Sequence, residues 1–493
     1  MGERVQPSAL VAGRDGEVQY RLERCVAAMR HMVDGGWFGA HEDSVGMEVE
    51  FDLVDPLGRP RPINDRVLER LGRSDMQQEL GQFNVELNLA PRRLRDRVLR
   101  ETESELAAVL DRSRAAIEGL GARLVAVGTL PTLSAELLTV ESISHNPRYE
   151  LLARRMRAAR HRPFLVSIVD GREPVEFTTD SVAPDAATTS LQLHLRVQPD
   201  RFADYYNAAQ AIAGAQVAVA ANSPYLLGYQ AWQETRITLL EQLLDTRRPE
   251  EVRAGAPARV RLGDRWVDDP VELFDDAVRM FPPLFPTVEA EDPDAELAAG
   301  RAPCLHELRL HNGTVWRWNR PVYDVQSGRP HLRIENRVLP SGPTAVDMVA
   351  NASFYYGLVR AIVDNHAGDP APWGEVPFAL AERDLHRAAR DGLTAQLAWQ
   401  GIEYPADRLT REVLLPAAAA GLDAWGVDPD DRDRYLGVIE ARVRCGRTGA
   451  VWQTETVRRL EEGGLQRVAA LHEMTRRYVE HANTGAPVHE WPL

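Results

Sequence analysis

Between Ser44 and Val54 apolar and acidic residues alternate, with Met47, Val49, Phe51 and Leu53 on one side of an extended backbone and Glu48, Glu50 and Asp52 on the other. Residues two apart on a strand share a face, so this stretch reads as a strand that is apolar behind and acidic in front. The alternation returns at Gln82 to Ala90, where Phe83, Val85, Leu87 and Leu89 oppose Asn84, Glu86 and Asn88. It returns again at Ser190 to Val197, with Gln192 and His194 on one face and aliphatic residues on the other. Two carboxylate-bearing strands that pair edge to edge bring their acidic faces to one spot.

Around these strands the rest of the chain reads in mixed order. Val18 to Gly35 has apolar residues at helical spacing and is closed by Gly35-Gly36. Leu94 to Leu120 reads as a long amphipathic helix, Ala122 to Val127 as a strand, and Ala203 to Ala221 as an alanine-rich helix. Between Asp245 and Pro303 the composition shifts to Pro, Asp, Glu and Ala without sustained periodicity, the mark of a loop-rich insertion. Pro303 to Leu339 reads as strand and loop, Thr344 to Asn365 as a helix, His366 to Pro377 as a linker, and the remainder as mostly helical.

Paired antiparallel strands outnumber regular strand-helix-strand units, which favours α+β over a doubly wound sheet. At 493 residues the chain exceeds what one core usually spans, roughly 300 residues. The expected division is a helical lead-in over residues 1–43, a main unit over 44–365 that includes the 245–303 insertion, and a helical region over 378–493 packed on the main unit.

Composition narrows the function. The formal net charge is −15, from 58 basic and 73 acidic residues, so the average surface repels nucleic acid and anionic lipid. There is no lysine, so every fixed side-chain cation is an arginine. Biased codon usage explains that absence, yet it still excludes a Walker A loop, a pyridoxal phosphate Schiff base and a lysine nucleophile. Cys25, Cys304 and Cys445 are far apart and form no C-x-x-C pair, as in a reduced compartment. No apolar signal core or run of about 18 apolar residues is present, so a soluble, cytoplasmic protein without a membrane partner is expected.

Glu48 and Glu50, side by side on one strand face, repel unless a cation sits between them, and a hard divalent ion bound through oxygen suits that place. For an isolated E-x-E a solvated strand face is the commoner explanation. Glu79 and Glu86 add a second acidic pair around a second strand. Gln192 and His194 supply neutral donors, and Arg333, Glu335 and Arg337 share a face of Leu332 to Arg337. A carboxylate between two arginines is a stable strand face and also what a metal-phosphate site requires.

In chain order these stretches resemble the glutamate-cysteine ligase superfamily, in particular its carboxylate-amine ligases of the second type. The resemblance runs from Gly46-Met-Glu-Val-Glu50 and Glu79-Leu-Gly-Gln-Phe-Asn-Val-Glu86 through Asn146-Pro-Arg-Tyr149, the Gln192/His194 strand and Ala221-Asn-Ser-Pro-Tyr225. It continues with Arg236 and ends with His311-Asn-Gly-Thr-Val-Trp-Arg-Trp-Asn-Arg320 and Arg333-Ile-Glu-Asn-Arg337. It implies a glutamine-synthetase-like fold, a curved antiparallel sheet forming a funnel with flanking helices, and makes 44–365 the catalytic domain.

The resemblance also implies roles. Glu48, Glu50, Glu79, Glu86 and Glu335 fall where the family places magnesium ligands, with two or three ions expected and ATP as co-substrate. Gln192 falls where several relatives carry a metal-binding histidine, and His194 takes the next alternate position, which leaves that ligand open. Arg337 and Arg320 are candidates for stabilising the transferred phosphoryl group, Arg333 and Gln192 for contacting ATP, and Arg236, Arg148 and His194 for holding substrate. The implied activity is ligation of an amino acid carboxylate to an amine such as cysteine, through an acyl phosphate, with ADP and phosphate released. The same chemistry on another amino acid or biosynthetic intermediate is the nearest alternative, and a nucleotide- or metal-binding relative without turnover is the alternative of another class. A zinc hydrolase ranks lower, because His306-Glu-Leu-Arg-Leu-His311 is out of register for H-E-x-x-H.

Overall fold

The computed structural model describes residues 15–39, 43–72, 76–285, 291–365, 373 and 376–493. Its strands are β1 (Ser44–Val54), β2 (Met76–Gln78), β3 (Asn84–Arg93), β4 (Arg123–Val125), the hairpin β5 (Phe164–Ile168) with β6 (Val175–Thr179), and β7 (Ser190–Val197). Then follow β8 (Tyr225–Leu226), β9 (Tyr229–Gln230), β10 (Asn319–Gln326), β11 (Arg329–Pro340), β12 (Gln396–Trp399) and β13 (Ile402–Pro405). The central sheet runs β10-β11-β7-β1-β3-β2, with β4 also on β1, and its pairs are antiparallel. This is the expected mixed architecture: an antiparallel sheet curled into a half-barrel and flanked by helices.

Two register shifts favour the curl, one between Val45 and Met47 where β1 meets β3 and one between Asn336 and Leu339 where β11 meets β7. An extra residue on one strand of a pair bends that strand and increases its twist. The apolar side of the sheet, with Val49, Phe51, Val85, Leu87, Leu193, Leu195 and Ile334, is fully buried. Helices Pro199–Ala211, Ala213–Ala220 and Ala345–Asn365 pack there. The opposite, concave side carries the charged residues.

The C-terminal region is tied to the sheet domain by buried polar contacts. Arg442 donates to Asp347 at 2.7 Å and to Asn351 at 2.7 Å on helix Ala345–Asn365. Tyr478 donates to the Ala126 carbonyl at 2.7 Å. Helix Leu415–Trp425 crosses Ala345–Asn365 backbone to backbone, because a Cβ on Gly421 would land on the Gly357 carbonyl, and one on Gly357 would land on the Ala418 carbonyl. Only glycine permits that approach.

Three local differences from the sequence reading have physical causes. Among its described residues the 245–303 segment holds three helices, Pro249–Arg253, Pro270–Met280 and Pro293–Ala298. Asp269 and Asp292 cap the last two just ahead of a first-turn proline, and Pro270–Met280 buries Val271, Phe274, Ala277 and Val278 at helical spacing. Within Pro303 to Leu339, His306–Asn312 is helical rather than strand or loop, and the C-terminal region includes the β12–β13 hairpin. The linker expected at His366 to Pro377 lies, apart from 373 and 376–377, outside the described residues, as do 1–14 and 40–42 of the lead-in. Among the described residues no helix is long and apolar enough to cross a membrane.

Candidate active site

The antiparallel register sets Glu50 of β1 directly against Glu86 of β3. Glu79 reaches them from the loop that follows β2, and oxygens of the three carboxylates lie within 4.8 Å of one another. Each is held in place. Glu50 accepts the Ser190 backbone N–H at 2.6 Å and the Gln192 amide at 2.9 Å, while Glu86 accepts the amides of Gln77 at 2.5 Å and Asn88 at 2.6 Å. The Glu79 loop is pinned by Ser144, whose hydroxyl donates to the Glu79 carbonyl at 2.5 Å. Gly81 closes that loop, and a Cβ there would run into Asn84 and come within 2.8 Å of the Ala186 Cβ.

Three carboxylates so close together, Glu50 and Glu86 buried and Glu79 half-buried, are electrostatically strained. Burial and then the charge of Glu86 push Glu50 up to about 7, against the pull of Arg337 and the Ser190 N–H. Burial, then Glu86 and Glu50, push Glu79 well above its ordinary value, and burial and Glu50 do the same to Asp52 one step further along β1. A divalent cation relieves this strain directly. The donor set is all oxygen, and oxygens 4.8 Å apart or less can surround an ion that takes its ligands at about 2.0–2.6 Å. The cluster therefore fits a hard cation of the magnesium or calcium type.

The other half of the concave face is basic. Arg320 forks onto Glu335 with bonds of 2.8 and 2.9 Å, and Arg337 donates to the same carboxylate at 2.5 Å. Although burial pushes Glu335 up, these two guanidiniums hold it below the ordinary carboxylate value. Arg337 also donates to Gln192 at 2.6 Å, so the Gln192 amide bridges the acidic cluster and the arginines. Arg333 donates to His194 Nδ1 at 3.3 Å, and His194 Nε2 lies 3.0 Å from Glu48.

These contacts divide the expected ligands into two groups. Of the five carboxylates, Glu50, Glu79 and Glu86 converge. Glu48 is instead paired with His194, and Glu335, only 1% exposed, is enclosed by Arg320 and Arg337. Alternation put Glu48, Glu50, Glu86 and Glu335 on polar strand faces, and register then sets Glu50 against Glu86 and Glu335 against Arg320, with His194 diagonal to Glu48. Arg236, the candidate for holding a substrate carboxylate, also has partners within the protein. It is buried, paired with Glu234 at 3.0 Å and donates to the backbone carbonyls of Arg337 and Val338, so it fixes the strand under Arg337.

A cavity of about 1160 Å³ covers this face and is lined by Glu48, Glu50, Glu79, Glu86, Gln192 and His194. Arg148, Arg236, Arg320, Arg333 and Arg337 also line it. Arg148 enters from the first turn of helix Pro147–Arg160, which Asn146 caps. The sequence reading missed Gln77 and Asn88, which orient Glu86. Alternation with Glu86 exposes Asn88 as a candidate. It also missed Asp185, a lining carboxyl pushed up to about 6 by burial, which sits in a single turn with no periodic signal.

A half-barrel antiparallel sheet with a carboxylate cluster and an arginine row on its concave face has the parts a metal-phosphate site requires, and the comparisons place it among the carboxylate-amine ligases. Glutamate–cysteine ligase from Francisella tularensis, solved in complex with AMP, superposes with a TM-score of 0.57 at 13% identity, over 91% of this chain and 90% of that one. A bifunctional glutathione synthetase from Pasteurella multocida superposes with a TM-score of 0.50 at 12% identity, over 93% of this chain but 55% of that one. The chain belongs to glutamate-cysteine ligase family 2, which it matches over residues 44–471. No curated protein sequence matches it.

Proposed function

We propose that this chain joins the carboxylate of an amino acid, glutamate in the simplest case, to an amine, using ATP and magnesium and releasing ADP and phosphate. The observation that carries the reading is the convergence of Glu50, Glu79 and Glu86 beside Arg320 and Arg337 in one cavity. Membership of a family named for glutamate-cysteine ligation, and a fold shared with an AMP-bound ligase, support it.

Amide formation in water is uphill, so the carboxylate is first phosphorylated and the amine then displaces phosphate. Both steps place negative charge on phosphoryl oxygens, and catalysis is mainly positioning and charge neutralisation. Glu50, Glu79 and Glu86 would hold the magnesium, which when bound would supply charge neutralisation at the phosphates. Arg337 and Arg320 face the same space as fixed cations, with Glu335 keeping both forks oriented. Gln192 sets Arg337 relative to Glu50. Arg148 provides a guanidinium for a substrate carboxylate, and Arg333 one for the nucleotide.

The test is product analysis with ATP, Mg2+, glutamate and a panel of amines. ADP and phosphate in step with amide support the reading, and pyrophosphate rejects the acyl-phosphate route. A second reading, nucleotide binding without turnover, is favoured by one observation: Glu335 already sits in ion pairs with two arginines. ATP binding with no ADP from any amine supports it.

A further inference from the structure

The cavity continues past the charged face of the sheet along an apolar wall. Leu152, Leu240 and Trp316 are partly exposed on that wall, and Val260, Phe274 and Phe285 back it as buried residues. The three backing residues belong to the 245–303 segment, so what that segment adds to the site is apolar. Each front residue is attached to the polar zone: Leu152 lies one helical turn after Arg148, Leu240 one turn after Arg236, and Trp316 shortly before Trp318 and Arg320.

The layout of the charges decides which substrate meets this wall. Glu50 is joined through Gln192 to Arg337, so the metal cluster and the reacting phosphoryl group belong at the Arg337 end of β11. From there Arg333 lies four residues back along the strand, about 13 Å away, which directs the rest of a triphosphate and its base toward Arg333. Leu152 of the apolar wall shares a helix with Arg148 and Tyr149, and Tyr149 lies within the field of Glu79 and Glu86, so the wall is assigned to the metal end, where the two molecules being joined must sit. A cavity of about 1160 Å³ is larger than the ~300–1,000 Å³ usual for one drug-sized ligand, in keeping with a nucleotide and two further substrates. A cysteine side chain, one methylene and a thiol, would leave most of the wall facing water, at a cost of about 25 cal/mol per Å² of apolar surface left wet.

We propose, building on the ligase reading above, that the amine substrate carries an aliphatic or aromatic group of several carbons seated against Trp316, Leu240 and Leu152. The amine nitrogen attacks the acyl carbon, the C–N bond forms, and the C–O bond to phosphate breaks. Phosphate leaves with the electron pair, and the surplus amine proton passes to solvent.

Phosphate release by the full-length chain with ATP, Mg2+ and glutamate tests this across glycine, alanine, cysteine, leucine and phenylalanine as amines. The expected result is kcat/KM at least about 10-fold higher for leucine or phenylalanine than for alanine and cysteine, since one methylene in an apolar pocket is worth roughly 10-fold or more. Trp316→Ala should remove most of that preference while leaving the KM for ATP unchanged, and Trp316→Phe should retain it. Cysteine or glycine outperforming the larger amines would overturn this inference alone. A raised KM for ATP in Trp316→Ala would give the wall to the adenine and overturn it too. No ADP with any amine would overturn both this inference and the ligase reading.

Discussion

Glu50 on β1 stands directly opposite Glu86 on β3, two carboxylates facing each other across a non-edge pair of the sheet. Like charges in that position destabilise a sheet, and Glu79 adds a third to the same spot. A fold retains such an arrangement when a bound cation repays it, and the predictions below follow from that strain and from the contacts around it.

Stability without metal should fall as pH rises through the acid range. Glu50 and Glu79 have folded values above their unfolded value of about 4.3, so the fold prefers them protonated. The penalty is absent below about 4.3, grows as pH rises, and for Glu50 is complete above about 7. A displacement to about 7 from 4.5 amounts to roughly 3 kcal/mol. Urea unfolding in EDTA at pH 5.5 and pH 8 should show a smaller stability difference between wild type and Glu50→Gln at the lower pH. Mg2+ should raise the melting temperature more at pH 8 than at pH 5.5.

Activity and stability should separate in Glu50→Gln. Loss of one electrostatic group at the phosphoryl site costs about 10² to 10³ in kcat, so ADP release should drop by at least that factor. The metal-free melting temperature should be unchanged or higher at pH 8, because a buried like charge has gone. Full turnover in this variant, measured as ADP release, would remove Glu50 from the metal site.

Gln192 is the bridge between Glu50 and Arg337. Gln192→Leu keeps the volume and loses both hydrogen bonds, so kcat should fall by about 10- to 100-fold, the usual effect of a partner that orients a metal ligand. Steady-state kinetics should show the loss in kcat more than in the KM for the amine.

Arg442 and Asp347 form a fully buried ion pair between the C-terminal region and helix Ala345–Asn365. Arg442→Met leaves Asp347 buried without its cation and should destabilise the protein by about 3–5 kcal/mol. Denaturant titration checks this, and replacing Asp347 as well should recover part of the loss.

Much of the sheet was legible because its periodicity is physical. Ser44 to Val54 and Ser190 to Val197 are strands with the boundaries that alternation gave, and the acidic and apolar faces of β1 follow from residue parity alone. Pro249–Arg253 and Pro293–Ala298, five and six residues long, are too short to show a repeat, whereas Pro270–Met280 does bury Val271, Phe274, Ala277 and Val278 at helical spacing and was hidden by the Pro- and Asp-rich composition around it. In the site, parity put Glu48, Glu50, Glu86 and Glu335 on one face but could not rank them. Gln77, Asn88 and Asp185 matter only because of what the fold sets beside them.

By itself the sequence determined an acidic, lysine-free chain with a half-buried antiparallel sheet, one face carrying carboxylates and arginines, and through its ordered motifs the ligase family. Only the tertiary structure decided that Glu50, Glu79 and Glu86 meet while Glu48 sits beside His194 and Glu335 between two arginines, that Arg236 is a strut beneath the strand, and that the 245–303 segment lines the cavity with apolar side chains. The reason is that parity is a property of one strand, fixed by backbone geometry. Which charge faces which is a property of strand register and loop approach, and those are set by contacts between residues far apart in the chain.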